Sequence, residues 1–372
     1  MTADILGLGT ATPHRFVRQT ATAGFISERA GGDARHARRL RAALRHSGIE
    51  HRHSVLLDGD DPADVRSAFY PKPNGQLIAC EPGTAARMGR YAREAPALAA
   101  KACRNARERA ALDAGAITHL VTASCTGFNA PGVDIELMQQ LDLNPGVERV
   151  HVGFMGCHAA INAMRTAHAI ARSDADARVL LCAVELCTLH LQYRNDDDAV
   201  LANTLFADGA AAMIVGERGN ADAPAINAGW RIAATGSHLL ADSLDAMTWT
   251  VGDHGFTMTL SPRVPDIIHA QLPAAVDAWL ESHGTSRARL GSVAVHPGGP
   301  RIVEQVAQAL DLPEAWCAPS REVLASHGNM SSPTILFILE QLMRSNAEGP
   351  MLMMAFGPGL AAELALLERI QR

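Results

Sequence analysis

VHVGFMGCHAAINAMRTAHAIARS, Val150 to Ser173, runs from a β-like segment through a glycine-containing pivot and a single cysteine into a long alanine-rich helical stretch. This pattern predicts a strand turning sharply into a helix, with Cys157 at the elbow and Gly153 and Gly156 permitting the tight backbone. A side chain on the first turn of a helix meets the positive end of the macrodipole and unbonded N–H groups, which predicts a thiol pKa below its free value of about 8.5. Four readings of Cys157 follow: a small buried hydrophobe, a metal ligand, half of a disulfide, or a nucleophile poised for acylation.

Around the elbow the chain alternates strand-like and helix-like segments. "ADILGLGTATP" opens as a strand, and "ARHARRLRAALRHSG" reads as an arginine-rich helix closed by Gly48. "GTAARMGRYAREAPALAAKACRNARERAALDAG" predicts a helix capped by Thr84, broken at Pro96 and stopped at Gly115. "ITHLVTASC" and "ARVLLCAVEL" lack a periodic polar face, as expected for strands covered on both sides. "NTLFADGAAAMIVG" and "MLMMAFGPGLAAELALL" share an apolar, glycine-turn, apolar plan, and "LGSVAVHPGGPRIVEQVAQALDL" repeats the strand, turn and helix of the opening stretch. The chain therefore reads as two similar α/β halves, residues 1–222 and 223–372, each ending in a hairpin-like pair and packed as one unit.

At 372 residues the chain can bury a large interior, and with 4% aromatic residues that interior must be built from Ala, Leu, Val, Ile and Met. A net charge of −6 argues against general affinity for nucleic acid or an anionic membrane, so an anionic ligand needs a local basic patch. The N-terminus does not read as a signal peptide and no long uncharged stretch is apolar throughout, so a cytoplasmic protein without membrane insertion is expected. The seven cysteines include no CxxC pair and no Cys/His cluster at zinc spacing, which disfavours disulfides and a metal site.

A nucleophilic thiol needs partners. In "VAVHPGGPRIVEQV" His296 ends an apolar strand before a Gly-Gly-Pro turn, and in "SHGNMSSPTILFILEQL" Asn329 lies in a turn before a helix expected to start near Ser331 or Ser332. Both stand at element ends, where sites are usually built, yet either can also be an ordinary polar terminus.

"GFMGCHAA", "HPGGPRI", "GNMSSPT" and "FGPG", in that order, together with "PGVD", "LFADGAAAMIVG" and "ELCTLHLQ", resemble the type III polyketide synthases, relatives of chalcone synthase, and among them the bacterial alkylresorcinol and alkylpyrone synthases. The resemblance implies a thiolase-like fold with a duplicated, layered αβαβα architecture and mixed sheets. It also implies a cytoplasmic homodimer that takes an acyl-CoA starter and malonyl-CoA and needs no cofactor beyond these CoA thioesters.

By the same resemblance, Cys157 is the nucleophile that accepts the starter, His296 keeps it as thiolate and donates to the thioester oxygen, and Asn329 is the second donor. The pair would stabilise the enolate formed when malonyl-CoA loses carbon dioxide. Phe206 matches a phenylalanine at the junction of the CoA tunnel and the cavity. Arg39, Arg45 and His46 fall near basic CoA-binding positions; Gly298 and Gly299 match a backbone contact with CoA, and Arg301 could reach a phosphate.

Three positions depart from the plant members. Cys125 replaces a threonine beside the nucleophile, Ala130 replaces a methionine that reaches into the neighbour's cavity, and Met258 stands near an aromatic gatekeeper. Together they point to a long apolar starter, which would lead to a pyrone, resorcinol or related product. The rivals are a ketoacyl synthase III-like enzyme fed by an acyl carrier protein, a papain-type thiol hydrolase using the same three residue types, and a redox or metal module built on Cys125, Cys157, Cys182 and Cys187.

Overall fold

A computed structural model of the chain describes residues 1–73, 80–218, 229–345 and 348–370. The first half contains β1 (Asp4–Ala11), β2 (Phe16–Arg18), α1 (Thr22–Arg29), α2 (Ala34–His46), β3 (His51–His53), α3 (Thr84–Ala110), β4 (His119–Ser124), α4 (Val133–Gln140), β5 (Glu148–Gly153), α5 (Ala159–Ser173), β6 (Arg178–Leu186), α6 (Asp197–Leu205) and β7 (Asp208–Gly216). The second contains β8 (Trp230–Leu239), β9 (Met247–Gly252), β10 (Gly255–Leu260), α7 (Val264–Ser282), β11 (Ser292–Val295), α8 (Pro300–Ala309), α9 (Glu314–His327), α10 (Thr334–Arg344), β12 (Met351–Gly357) and β13 (Ala361–Arg369). The expected boundary at 222/223 falls outside the described residues.

Nine strands hydrogen bond in the order β11-β12-β13-β8-β1-β7-β6-β4-β5, a mixed sheet with parallel and antiparallel pairs in both halves. The halves meet at β1 and β8, where Ile232 N–H donates to Ala3 and the Arg231 guanidinium donates to Asp4 at 2.6 Å. One core cluster joins α5 and α10 to strands of both halves, so these two helices form a shared middle layer. The outer face of the first half is covered by α3 and α4, and that of the second by α7 and α8. Five layers result, α, β, α, β, α, in the thiolase-like arrangement the motifs imply. An apolar interior on both faces of each half explains the unbroken hydrophobic runs of β6, β7 and β12.

Local chemistry overrides several expectations. Helix α3 runs straight through Pro96, whose ring is buried with Ala95, Ala99, Ala102 and Ala106 on the face packed against β1. Tertiary packing thus compensates the hydrogen bond that proline forfeits. Thr84 does not cap this helix: its hydroxyl donates to Gly252 O and accepts from Gly255 N, tying α3 to the turn between β9 and β10. The helix ends at Ala111 in the left-handed region (φ 52°), before Gly115 is reached. "NTLF" forms the end of α6 and not half of a hairpin; β7 pairs antiparallel with β6, across a connection that contains α6. The second half does end in the β12–β13 hairpin. Helix α10 starts at Thr334, later than expected, because Pro333 cannot supply an interior N–H and occupies the N-cap.

Candidate active site

The elbow forms as read, with β5 turning through residues 154–158 into α5. Its left-handed residues are Phe154 (φ 60°) and Gly156 (φ 74°), and Gly153 is not among them. A Cβ on Gly156 would lie 2.5 Å from the Pro358 ring, so a side chain is excluded there by contact as well as by conformation. One residue on, the buried His158 bonds Asn162 at 2.7 Å through Nδ1, and its ring lies where a Cβ on Gly357 would stand. The "FGPG" turn of the second half is thereby fitted onto the "GCH" turn of the first. His158 and Gly357 fix the cysteine loop against the opposite half.

Ser331 lines the same pocket as Cys157, and its hydroxyl and the Asn329 amide favour the ionised form of the Cys157 thiol. Asn329 Oδ1 accepts from the Ser331 N–H at 2.8 Å, which fixes the orientation of its amide. Asn329 is held from behind by strand-like pairing with the end of α6: its N–H donates to Leu205 O and its carbonyl accepts from Ala207 N–H. Ser331 adopts φ 56° and approaches the Cys125 sulfur at 3.4 Å, so one strained residue stands in the pocket with both thiols.

Burial pushes the Cys157 thiol up to about 11, opposed by Ser331 and Asn329 and reinforced by the Glu185 carboxylate. This corrects the low pKa expected from the elbow alone. A helix terminus contributes about 1 kcal/mol, less than one pKa unit, and desolvation outweighs it. His296 follows β11 as expected and is 2% exposed. Burial holds its imidazole near 3, with nearby His158 adding to the effect, and neither ring nitrogen has a hydrogen-bond partner among the described residues. Burial thus disfavours both the thiolate and the imidazolium in the substrate-free chain.

A chamber is lined by Cys157, Cys125, Cys187, Ser331, Phe206, Trp249, Met258 and the Gly156–Pro358 contact. A second, larger cavity shares Cys187, Phe206, Trp249 and Met258 with it and extends past α1 and α6 to the half-exposed Arg194. Phe206 thus stands at the junction of the two spaces. Its carbonyl accepts from Arg52 at 2.9 Å, and Arg52 also donates to Asn203 O and Gln19 Oε1. Trp249 forms the other side of the junction and donates its indole N–H to Cys125 O at 2.8 Å. His190 lines the larger cavity with its ring stacked on Phe256. Its Nε2–H donates to Thr126 O at 2.7 Å and its Nδ1 accepts from Phe256 N–H at 2.9 Å.

Glu185 lies beneath the thiols, fully buried. It accepts from Cys125 N–H, Thr126 Oγ1 and Ser332 Oγ, and burial raises its carboxyl pKa.

Cys125, Phe206 and Met258 therefore converge with Cys157. Ala130 lies on an exposed loop and lines neither cavity of its own chain. Arg39, Arg45 and His46 are exposed on α2, with Arg39 paired to Asp197. The Gly298–Gly299 turn faces Leu205, and Arg301 points outward from α8. None of these six lines the larger cavity; the arginines that do are Arg52 and Arg194. Arg52, Arg194, Ser331, Trp249 and Glu185 escaped sequence reading. The serine beside "GNM" was the one with a visible signal. Cys182 points to the opposite face of the sheet, against Ala99 and Cys103, so the four cysteines of the redox reading do not converge. Among the described residues no group of three or more His, Cys, Asp or Glu side chains could hold a metal.

Residues 1–219 match the family described as chalcone and stilbene synthases, N-terminal domain, and residues 231–371 match its C-terminal domain. Over its whole length the chain is 32% identical to 92% of the alpha-pyrone synthesis polyketide synthase-like Pks18 of Mycobacterium tuberculosis. Over 69% of its length it is 34% identical to a 1,3,6,8-tetrahydroxynaphthalene synthase of Streptomyces peucetius subsp. caesius, covering 68% of that protein. The solved C-terminal type III polyketide synthase domain of Steely1, a type I/III hybrid from Dictyostelium, superposes with a TM-score of 0.90 at 26% identity, with all of both chains covered. PKS-I from the brown alga Ectocarpus siliculosus gives 0.89 at 27% identity, covering all of this chain and 99% of that one.

Proposed function

The chain belongs to the chalcone and stilbene synthase family and is a type III polyketide synthase, a decarboxylating condensing acyltransferase; from that premise we propose that Cys157, His296 and Asn329 carry its reaction. In loading, the thiol proton passes to the His296 imidazole as the sulfur attacks. The Cys157 sulfur attacks the starter thioester carbonyl, and CoA leaves as thiolate. Malonyl-CoA then enters; cleavage of its carboxyl C–C bond releases carbon dioxide and moves the electron pair onto the thioester oxygen as an enolate. The Asn329 amide N–H and a His296 N–H would receive that oxygen. A buried donor without a partner costs about 1–3 kcal/mol, so an enolate oxygen recovers energy the substrate-free site forgoes. The enolate carbon attacks the acyl-Cys157 carbonyl and expels the cysteine sulfur, leaving a chain two carbons longer on CoA. No side chain has to remove a proton from malonate, because loss of carbon dioxide itself generates the enolate.

The observation that carries this reading is the placement of Cys157 and Ser331 in one chamber that joins a larger cavity at Phe206, with Asn329 bonded to Ser331 behind it. The larger cavity takes the pantetheine arm and an apolar acyl chain, since Val17, Phe25, Ile26, Leu56, Leu57 and Leu191 contribute to its wall. The starter is a long aliphatic acyl-CoA and the product a pyrone, resorcinol or related ring. Arg39, Arg45, His46 and the Gly298–Gly299 turn meet the nucleotide end of CoA. Purified protein incubated with lauroyl-CoA and malonyl-CoA should give cyclised products by mass spectrometry. Cys157→Ala should give none while keeping the native circular dichroism, and wild-type levels of product from that variant would refute the assignment.

The protein is proposed to act as a homodimer paired along β5, the edge strand of the large sheet. Val150, Phe154, Met155 and Phe128 leave apolar surface exposed beside that edge, as interface residues do in an isolated protomer. Val150→Lys should shift the sedimenting species from dimer to monomer; an unchanged dimer would place the interface elsewhere.

A further inference from the structure

The solvent face of α2 is cationic beyond what a nucleotide requires. Asp33 caps the helix by accepting from His36 N–H at 2.8 Å, and His36, Leu40 and Leu44 anchor it to the body. Arg35, Arg38, Arg39, Arg41, Arg45 and His46 are all exposed. Arg39 is held by Asp197. Among the described residues Arg38, Arg41 and Arg45 have no carboxylate partner, and Arg35 feels Asp33 alone. From Arg35 to Arg45 the face extends about 15 Å along the helix axis, longer than the phosphate cluster of one CoA. The rest of the molecule compensates this charge, for the whole chain carries −6. The patch is therefore local and directional.

Its position is informative. The Arg39–Asp197 pair fastens α2 to the first residue of α6, whose next residues, Asp198, Ala199, Ala202 and Asn203, line the larger cavity. The cationic face thus borders the passage that leads to Phe206 and Cys157. No large apolar side chain is exposed on α2 to enter a bilayer, which favours a folded acidic partner over a lipid surface.

We propose that the outer face of α2 docks an acidic acyl carrier protein, which delivers starter acyl groups on its phosphopantetheine arm through the same passage that CoA thioesters use. This rests on the synthase reading above. The Cys157 sulfur attacks the carrier thioester carbonyl, the acyl–cysteine bond forms, and the phosphopantetheine sulfur leaves with the carrier and takes up the thiol proton. No further reactant is required. Charge complementarity of this kind acts mainly on encounter and is weakened by salt.

The test compares lauroyl-CoA with lauroyl-loaded bacterial acyl carrier protein as starter, with malonyl-CoA as extender in both. Wild-type protein should use both starters, and raising salt from about 0.05 to about 0.3 M should slow the carrier reaction several-fold more than the CoA reaction. The triple variant Arg35→Glu, Arg38→Glu, Arg41→Glu should lose about tenfold or more of kcat/KM for the carrier-borne starter and keep that for lauroyl-CoA, which also shows that it folds. Consumption of lauroyl-CoA without any use of the loaded carrier would overturn this inference and leave the synthase assignment standing; failure with both starters would overturn the assignment itself. Equal loss on both starters in the variant would assign the face to CoA. Wild-type binding to phosphatidylglycerol vesicles that the triple variant loses, with carrier kinetics unchanged, would assign it to a membrane.

Discussion

Arg52 donates to the carbonyl oxygen of Phe206 at 2.9 Å from a site where its guanidinium is almost wholly buried. Burial lowers the guanidinium to about 10, with Asp208 opposing, so it remains a cation at neutral pH. The same side chain bonds Asn203 O and Gln19, and Gln19 in turn bonds Ser47, which closes α2. A single cation thus holds the residue that separates the two cavities. Arg52→Met should leave three acceptors short of a donor and cost about 2–4 kcal/mol in urea unfolding. It should slow carbon dioxide release from malonyl-CoA more than starter loading on Cys157. Equal effects on the two half-reactions would mean that Arg52 serves stability alone.

Ser331 holds its hydroxyl 3.4 Å from the Cys125 sulfur and in the same pocket as Cys157, from a left-handed backbone. Hydrogen bonds to a charged acceptor are worth about 1.5–3 kcal/mol, so Ser331→Ala should slow iodoacetamide alkylation of Cys157 about tenfold at pH 8, read by peptide mass spectrometry to separate it from Cys125. Ser331→Gly should slow alkylation equally while relieving the backbone. An alkylation rate unchanged in both variants would remove the hydroxyl from the chemistry.

Buried imidazoles make the fold acid-labile. His190 and His296 are held near 3 and His327 near 4, all by burial, against an ordinary value of 6.5. In each the neutral form is favoured by folding, so the unfolded chain binds more protons below about pH 6.5. Stability is complete above that pH and falls as pH drops toward 4, by about 1.4 kcal/mol per pH unit for each such histidine. His190 has a direct geometric reason: protonating Nδ1 would abolish its acceptance from Phe256 N–H. His190→Gln should be less stable at pH 7 and should show a slope shallower by about one proton between pH 6.5 and 5. Urea titrations at fixed protein concentration measure it, and parallel slopes would rule out His190 as a contributor.

Trp249 closes one side of the junction between chamber and passage. Trp249→Ala should merge the two spaces, at about 3–5 kcal/mol of stability, and shift products toward longer starters or additional extensions. An unchanged product distribution across starter lengths would show that chamber volume is set elsewhere.

The elements that could be read from the sequence are those whose cause is local. The elbow at Cys157, the strand ending at His296, the turn at Asn329 and the amphipathic α2 each follow from periodicity and a glycine or a cap. What could not be read depends on distant partners. Pro96 stays helical because an alanine face packs on β1, Thr84 bonds a turn about 170 residues away, and Ala111 ends α3 without the expected glycine. In the site, nothing local in "EHRHS" marks Arg52, whose role arises only when β3 is brought under Phe206. The pKa of Cys157 was misjudged for the same reason: the helix end is a local feature, whereas burial comes from both halves.

The exposed edge at β5 has a consequence for handling as well as for chemistry. A strand with free N–H and C=O groups beside Val150 and Phe154 is a template for indiscriminate growth unless a defined neighbour covers it. Substitutions near this edge are therefore expected to show first as turbidity and poor recovery, in protein whose active-site thiol is still intact.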